Sequence, residues 1–110
     1  MARYYDRAGV QLKFSEWMRL MNADEADRVV AQLWLAPKKI MISTMWIGLD
    51  MRPDGEAGAP LVFETAIVKT DKNGLMLGEP IEVLHYATEA EAVAGHRMAT
   101  QRYTNGGGKK

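Results

Sequence analysis

The chain has 110 residues, no cysteine, and fourteen Lys and Arg against fourteen Asp and Glu, for a formal net charge of zero. That balance leaves no basic footprint for DNA or RNA, and the absence of cysteine removes disulfides, thiolate catalysis and Cys-based zinc sites. No run of about 18 apolar residues is present, so no membrane span is expected, and the length is that of one domain.

In chain order, Tyr4-Tyr5, Asp6 to Gly9 and Val10 to Leu12 predict a small hairpin, with Asp opening the turn and Gly supplying positive φ. The start, Met1 to Arg7, lacks the apolar core of a signal peptide. Ser15 is placed to N-cap a helix through Met21, with Glu16 in its first turn. Trp17, Leu20 and Met21 recur at helical spacing and predict an inward face. Residues 22–27 form a turn or a further helical turn. Val29 to Leu35 is β-branched, aromatic and apolar and predicts a strand, which Ala36 to Lys39 breaks.

Ile40 to Leu49 is the strongest strand candidate. Alternation puts Ile40, Ile42, Thr44 and Trp46 on one face and Met41, Ser43, Met45, Ile47 and Leu49 on the other. Both faces are largely apolar, as in a central strand covered on each side. Leu61 to Val68 repeats the pattern. Asp71 to Gly74 is a turn with an Asn-Gly signal. Leu75 to Leu77 and Ile81 to Tyr86 predict one strand interrupted at Gly78 and Pro80. Thr88-Glu89-Ala90-Glu91 is a capping box opening a helix to about Arg102. Its small residues Ala92, Gly95 and Ala99 permit close packing on a sheet. Residues 1–104 then form a single α+β domain: a four- to five-stranded antiparallel sheet with an N-terminal and a C-terminal helix on one face. Residues 105–110 read as a disordered tail.

The chemistry concentrates between Ser43 and Thr65. Polar groups stand in apolar strands there, and an unpaired buried carboxylate costs several kcal/mol. Ser43, Thr44, Trp46, Asp50, Arg52 and Glu64 are the candidate ligand-binding residues, with Trp46 to stack a planar group and Arg52 to meet a phosphate. Asp50, Asp54, Glu56 and Glu64 allow a carboxylate cluster; the plainer account makes Asp50 and Asp54 turn caps and leaves Glu56 solvated. Glu64 sits either at an exposed edge or beside a base such as Arg52 or Arg97. His85 and His96 have no metal-ligand spacing, and His96 is expected on the polar face of its helix. No G-x-S-x-G elbow and no phosphate loop are present. No catalytic residue, metal or cofactor is assigned. The eight methionines, in a sheet with few helices to cover it, predict self-association as a dimer or higher oligomer.

The segments S-T-M-W-I-G-L-D from Ser43, A-P-L-V-F-E-T from Ala59 and Y-A-T-E-A-E-A-V-A-G-H from Tyr86 resemble those of small uncharacterised bacteriophage and prophage proteins. An R-Y-Y-D-R-A-G start completes the likeness, which covers nearly the whole chain. It departs in the loop, where relatives often carry an aromatic and His-containing turn and this chain has Met51-Arg52-Pro53-Asp54-Gly55. The resemblance implies a phage accessory product acting in the bacterial host cytoplasm, with no assigned activity. Two main expectations follow. One is a non-enzymatic oligomer that sequesters a nucleotide-like small molecule, with an anti-defence role. The other is an interaction module that inhibits or adapts a host or virion protein. A metal-assisted hydrolase using Asp50 and Glu64 is a third.

Overall fold

A computed structural model of the chain describes residues 3–53 and 55–105. The expected disordered tail and Asp54 therefore lie largely outside the described residues. β1 (Tyr4–Tyr5) and β2 (Gln11–Leu12) pair as the expected antiparallel hairpin. The Asp6 carboxylate closes its turn, accepting the Ala8 and Val10 amides at 2.9 Å each. α1 spans Phe14–Met21. It begins earlier than expected: Glu16 reaches back to accept the Lys13 amide at 2.8 Å, which makes Lys13 the cap and leaves Ser15 inside the first turn. Trp17 and Met21 pack inward, whereas Leu20 stays partly exposed. A 3-10 turn over Glu25–Arg28 follows, with Asp24 accepting the Ala26 amide.

The main sheet is a four-stranded antiparallel meander in the order β3 (Val29–Leu35), β4 (Ile40–Trp46), β5 (Phe63–Lys69), β6 (Glu82–Tyr86). β3 has the predicted bounds. β4 stops at Trp46 rather than Leu49, because the Ile47 and Gly48 amides both turn to the Val62 carbonyl and the chain leaves the sheet at Gly48. The predicted segment Leu75 to Leu77 is not a regular strand. It makes one bridge, Thr70 to Met76, and its three apolar side chains are exposed. α2 (Glu89–Thr104) opens on the predicted cap: Thr88 Oγ1 accepts the Glu91 amide, while Glu91 reaches back to Ala87 rather than Thr88.

Register assigns the two faces. Cross-strand rows on one face are Leu33–Ile42–Ile67–Glu82, Ala31–Thr44–Thr65–Leu84 and Trp46–Phe63–Tyr86. α2 lies over this face. Ala92 and Ala99 are buried in it, and Gly95 approaches Tyr86 so closely that a Cβ would overlap the ring. Trp17 and Met21 of α1 join the same core beside Trp46. Ile42, Trp46, Phe63 and Ile67 are nearly or fully buried there, each worth about 1.5–3 kcal/mol of transfer free energy. Rows on the other face are Trp34–Met41–Val68, Gln32–Ser43–Ala66–Val83 and Val29–Met45–Glu64–His85. Neither helix packs on them.

Candidate functional site

The six residues singled out from sequence fall in three places. Period-two alternation alone parts Ser43 from Thr44.

Ser43 and Glu64 lie on the uncovered face. Ser43 Oγ accepts Gln32 Nε2 at 2.9 Å. Glu64 pairs across strands with His85, Oε2 to Nε2 at 3.0 Å, and not with Arg52 or Arg97. Both partners are partly exposed, so the pair contributes about 0–1 kcal/mol. At one end of the face Trp34 Nε1 donates to Thr70 Oγ1 at 3.0 Å, and the indole lies against Gly74. Polar pairs therefore sit among Trp34, Met41, Met45, Ala66 and Val83, with Val68 and Ser43 themselves buried within the face. Trp34 and Val83 are more than a third exposed.

Thr44 and Trp46 lie on the covered face. Thr44 is fully buried between two partners, Thr65 Oγ1 at 2.5 Å and His96 Nδ1 at 2.7 Å. His96 thus points into the helix–sheet core and not, as expected, to the polar face of α2. Burial lowers its pKa below the usual histidine value, which keeps the imidazole neutral and able to complete the hydroxyl chain. Trp46 is 3% exposed and gives its indole N–H to the Tyr5 carbonyl at 3.1 Å.

Asp50 and Arg52 hold the base of the long loop. Asp50 is buried. Its carboxylate accepts the Arg52 and Leu61 amides at 3.0 Å each and meets Arg52 Nη2 at 2.7 Å. Arg52 Nη1 continues to the Gly58 carbonyl, and Arg3 Nη2 donates to the carbonyls of Asp50 and Arg52. Residues before and after the loop are thereby tied together. Burial by itself would raise the Asp50 pKa, but the bonds from Arg52 and from the two amides outweigh it and hold the carboxyl at about 2. Glu56 is exposed, and among the described residues no three metal-ligating side chains gather.

A cavity of about 420 Å³ opens beside Trp46, between the β1–β2 turn, the end of α1 and the 3-10 turn. Arg7 on its rim forks onto Glu89, Nε and Nη2 to the two carboxylate oxygens at 3.1 Å, and reaches the Asp27 carbonyl at 2.7 Å. Arg28 also lines the cavity, and its Nε is buried with no hydrogen-bond partner. Sequence reasoning passed over Arg28, Gln32 and the pairings of His85 and His96. Gln32 and His85 were readable as polar positions alternating with apolar ones. Nothing local marks His96, whose partner Thr44 is 52 residues away.

Compared with known proteins, the chain matches no family model, no curated protein and no solved structure.

Proposed function

We propose that this chain is a non-enzymatic phage accessory protein that acts in the host cytoplasm by docking protein on its uncovered sheet face, first a second copy of itself. The observation that carries this reading is the face itself: an apolar row, Trp34–Met41–Val68, beside two rows that are half apolar and half polar, with neither helix packed over them. Three strands of seven residues and one of five, about 4.8 Å apart, offer roughly 400 Å² of flat surface. That is about half of the roughly 800 Å² per partner of a standard interface. Side-chain relief and the exposed Leu75, Met76 and Leu77 of the neighbouring loop enlarge the patch. A face of this extent is within the range of the largest patch on a typical monomer, roughly 300–600 Å², which often serves interaction, and methionines at Met41 and Met45 adapt to differing partners. The resemblance to small phage proteins supplies the setting, in which the oligomer inhibits or adapts a host or virion protein.

The test is molar mass by light scattering during size-exclusion chromatography. Wild type should elute as a dimer or higher oligomer. Val83→Lys, which adds charge at an already exposed position, should shift it to monomer with an unchanged circular dichroism spectrum. A monomeric wild type at high micromolar concentration would remove the reading.

A second reading, sequestration of a nucleotide-like small molecule with an anti-defence role, has one observation in its favour: the cavity beside Trp46. Arg52, its expected phosphate contact, is engaged by Asp50, so the cation would have to come from elsewhere. Native mass spectrometry with a mixture of linear and cyclic nucleotides tests it. Discrete adducts support it, and bare protein under every mixture counts against it.

A further inference from the structure

The cavity beside Trp46 has an electrostatic asymmetry. Asp6 on its rim spends its carboxylate on the Ala8 and Val10 amides of the hairpin turn. Arg7 is matched by Glu89 and by the Asp27 carbonyl. Arg28 is not matched: among the described residues its guanidinium makes no hydrogen bond or ion pair, and its Nε is already shut off from water. A partly desolvated guanidinium without an acceptor is unfavourable, and the cost rises because the group is charged. An anion reaching its remaining N–H groups would relieve that cost through a charge-assisted, geometrically forked bond.

The rest of the lining is apolar apart from Asp27, whose backbone carbonyl serves Arg7 and whose side chain is exposed at the rim. Trp46, Leu20, Ala8 and Ala23 form walls, and the one donor Trp46 owns is taken by the Tyr5 carbonyl. The walls therefore select an apolar ring and offer little hydrogen-bond readout. A volume of about 420 Å³ lies toward the small end of ligand clefts, which run from about 300 to 1,000 Å³. It admits one ring system with its acid group.

We infer that this cavity is a binding site for a small molecule carrying an apolar ring system and a single anionic group, carboxylate or phosphate monoester, with Arg28 holding the anion and Trp46 and Leu20 the ring. The inference rests on the second reading above and gives it a location and a cation.

The experiment follows the three tryptophan indole N–H resonances by ¹⁵N–¹H NMR while full-length protein is titrated with 2-naphthoate, 2-naphthyl phosphate and the uncharged 2-naphthamide. Trp46 reports the cavity, Trp34 the uncovered sheet face and Trp17 the α1 core. The expected result is saturable movement of Trp46 with both anions, and binding of the amide weaker by about tenfold or more, the loss of one charge-assisted bond. Arg28→Met should abolish the preference for the anions while leaving the amide unchanged. Ala23→Leu, which fills the cavity, should weaken all three. Naphthoate and naphthamide binding alike, or Arg28→Met retaining the preference, overturns the inference. Movement of Trp34 alone places the probe on the sheet face and overturns it too. If nucleotide adducts persist in native mass spectra while Trp46 never moves, the site assignment fails and the ligand-binding reading stands. If neither experiment detects binding, both fail.

Discussion

Replacing Asp50 with Asn removes one charge and preserves shape, and its consequence can be worked from the structure. The carboxylate is buried and accepts two backbone amides and the Arg52 guanidinium. These partners hold its pKa at about 2 against an ordinary value of 3.8. At about 1.4 kcal/mol per pKa unit, ionised Asp50 adds roughly 2–3 kcal/mol to the folded state over its neutral form. Because the folded pKa lies below the unfolded one, that stabilisation is complete above pH 3.8 and is lost as pH falls toward 2. Asp50→Asn should therefore lower stability at pH 7 by about 2–3 kcal/mol, or about 10 °C in melting temperature for a chain of this length. Urea unfolding followed by tryptophan fluorescence measures both proteins across pH. The gap should be constant from pH 7 to about 5 and should close between about pH 4 and 2. A gap under about 0.5 kcal/mol at pH 7, or one that persists undiminished at pH 2, would refute the assignment of Asp50 as the ionised clasp of the loop.

Thr44→Val leaves the Thr65 hydroxyl and His96 Nδ1 buried without their shared partner; it should cost about 1–3 kcal/mol in urea unfolding, and a neutral outcome would count against the hydroxyl–imidazole chain. His96 is held below the ordinary histidine pKa by burial, so wild-type stability should fall as pH drops below about 6.5. That slope should flatten in His96→Gln, and NMR titration of the imidazole should place its midpoint below the ordinary value. Gly48 has φ +69° and a Cβ there would overlap the Trp46 ring. Gly48→Ala should cost about 2–5 kcal/mol, the sum of left-handed strain and overpacking, read as a lowered melting temperature.

Local signals carried most of the fold. β3 runs from Val29 to Leu35 because that run is β-branched and apolar and ends at a proline turn. The α2 cap follows from Thr88 and Glu91, and alternation in β4 sorted Ile42, Thr44 and Trp46 from Met41, Ser43 and Met45. The errors arise where tertiary contacts decide. The Ser15 cap yields to Lys13 because Glu16 reaches back one turn, which a serine at either position leaves undetermined. Leu75 to Leu77 has strand composition, yet Gly78 and Pro80 interrupt the ladder and one bridge remains. The partner of Glu64 required the β5–β6 register, which the residue 71–81 connection obscures in sequence. Trp46 and Arg52 read as ligand contacts because aromatic and cationic groups near a glycine-rich loop commonly are. Their actual partners differ in kind: the Tyr5 carbonyl lies 41 residues from Trp46 and only the folded chain displays it, whereas Asp50 is two residues from Arg52 and fits the turn-cap alternative. Arg28 carried no signal at all, since an unmatched cation is defined by what surrounds it.

The central claim is that the sheet face bearing Met41 and Met45 is an interface between copies of this chain, and methyl NMR tests it most directly. With ¹³C-methyl methionine, a dilution series from high to low micromolar protein should move the Met41 and Met45 methyl resonances along one saturable binding curve. Met98, exposed on α2, should stay fixed. Met41 and Met45 invariant across the series, or Met98 moving in their place, would contradict the account.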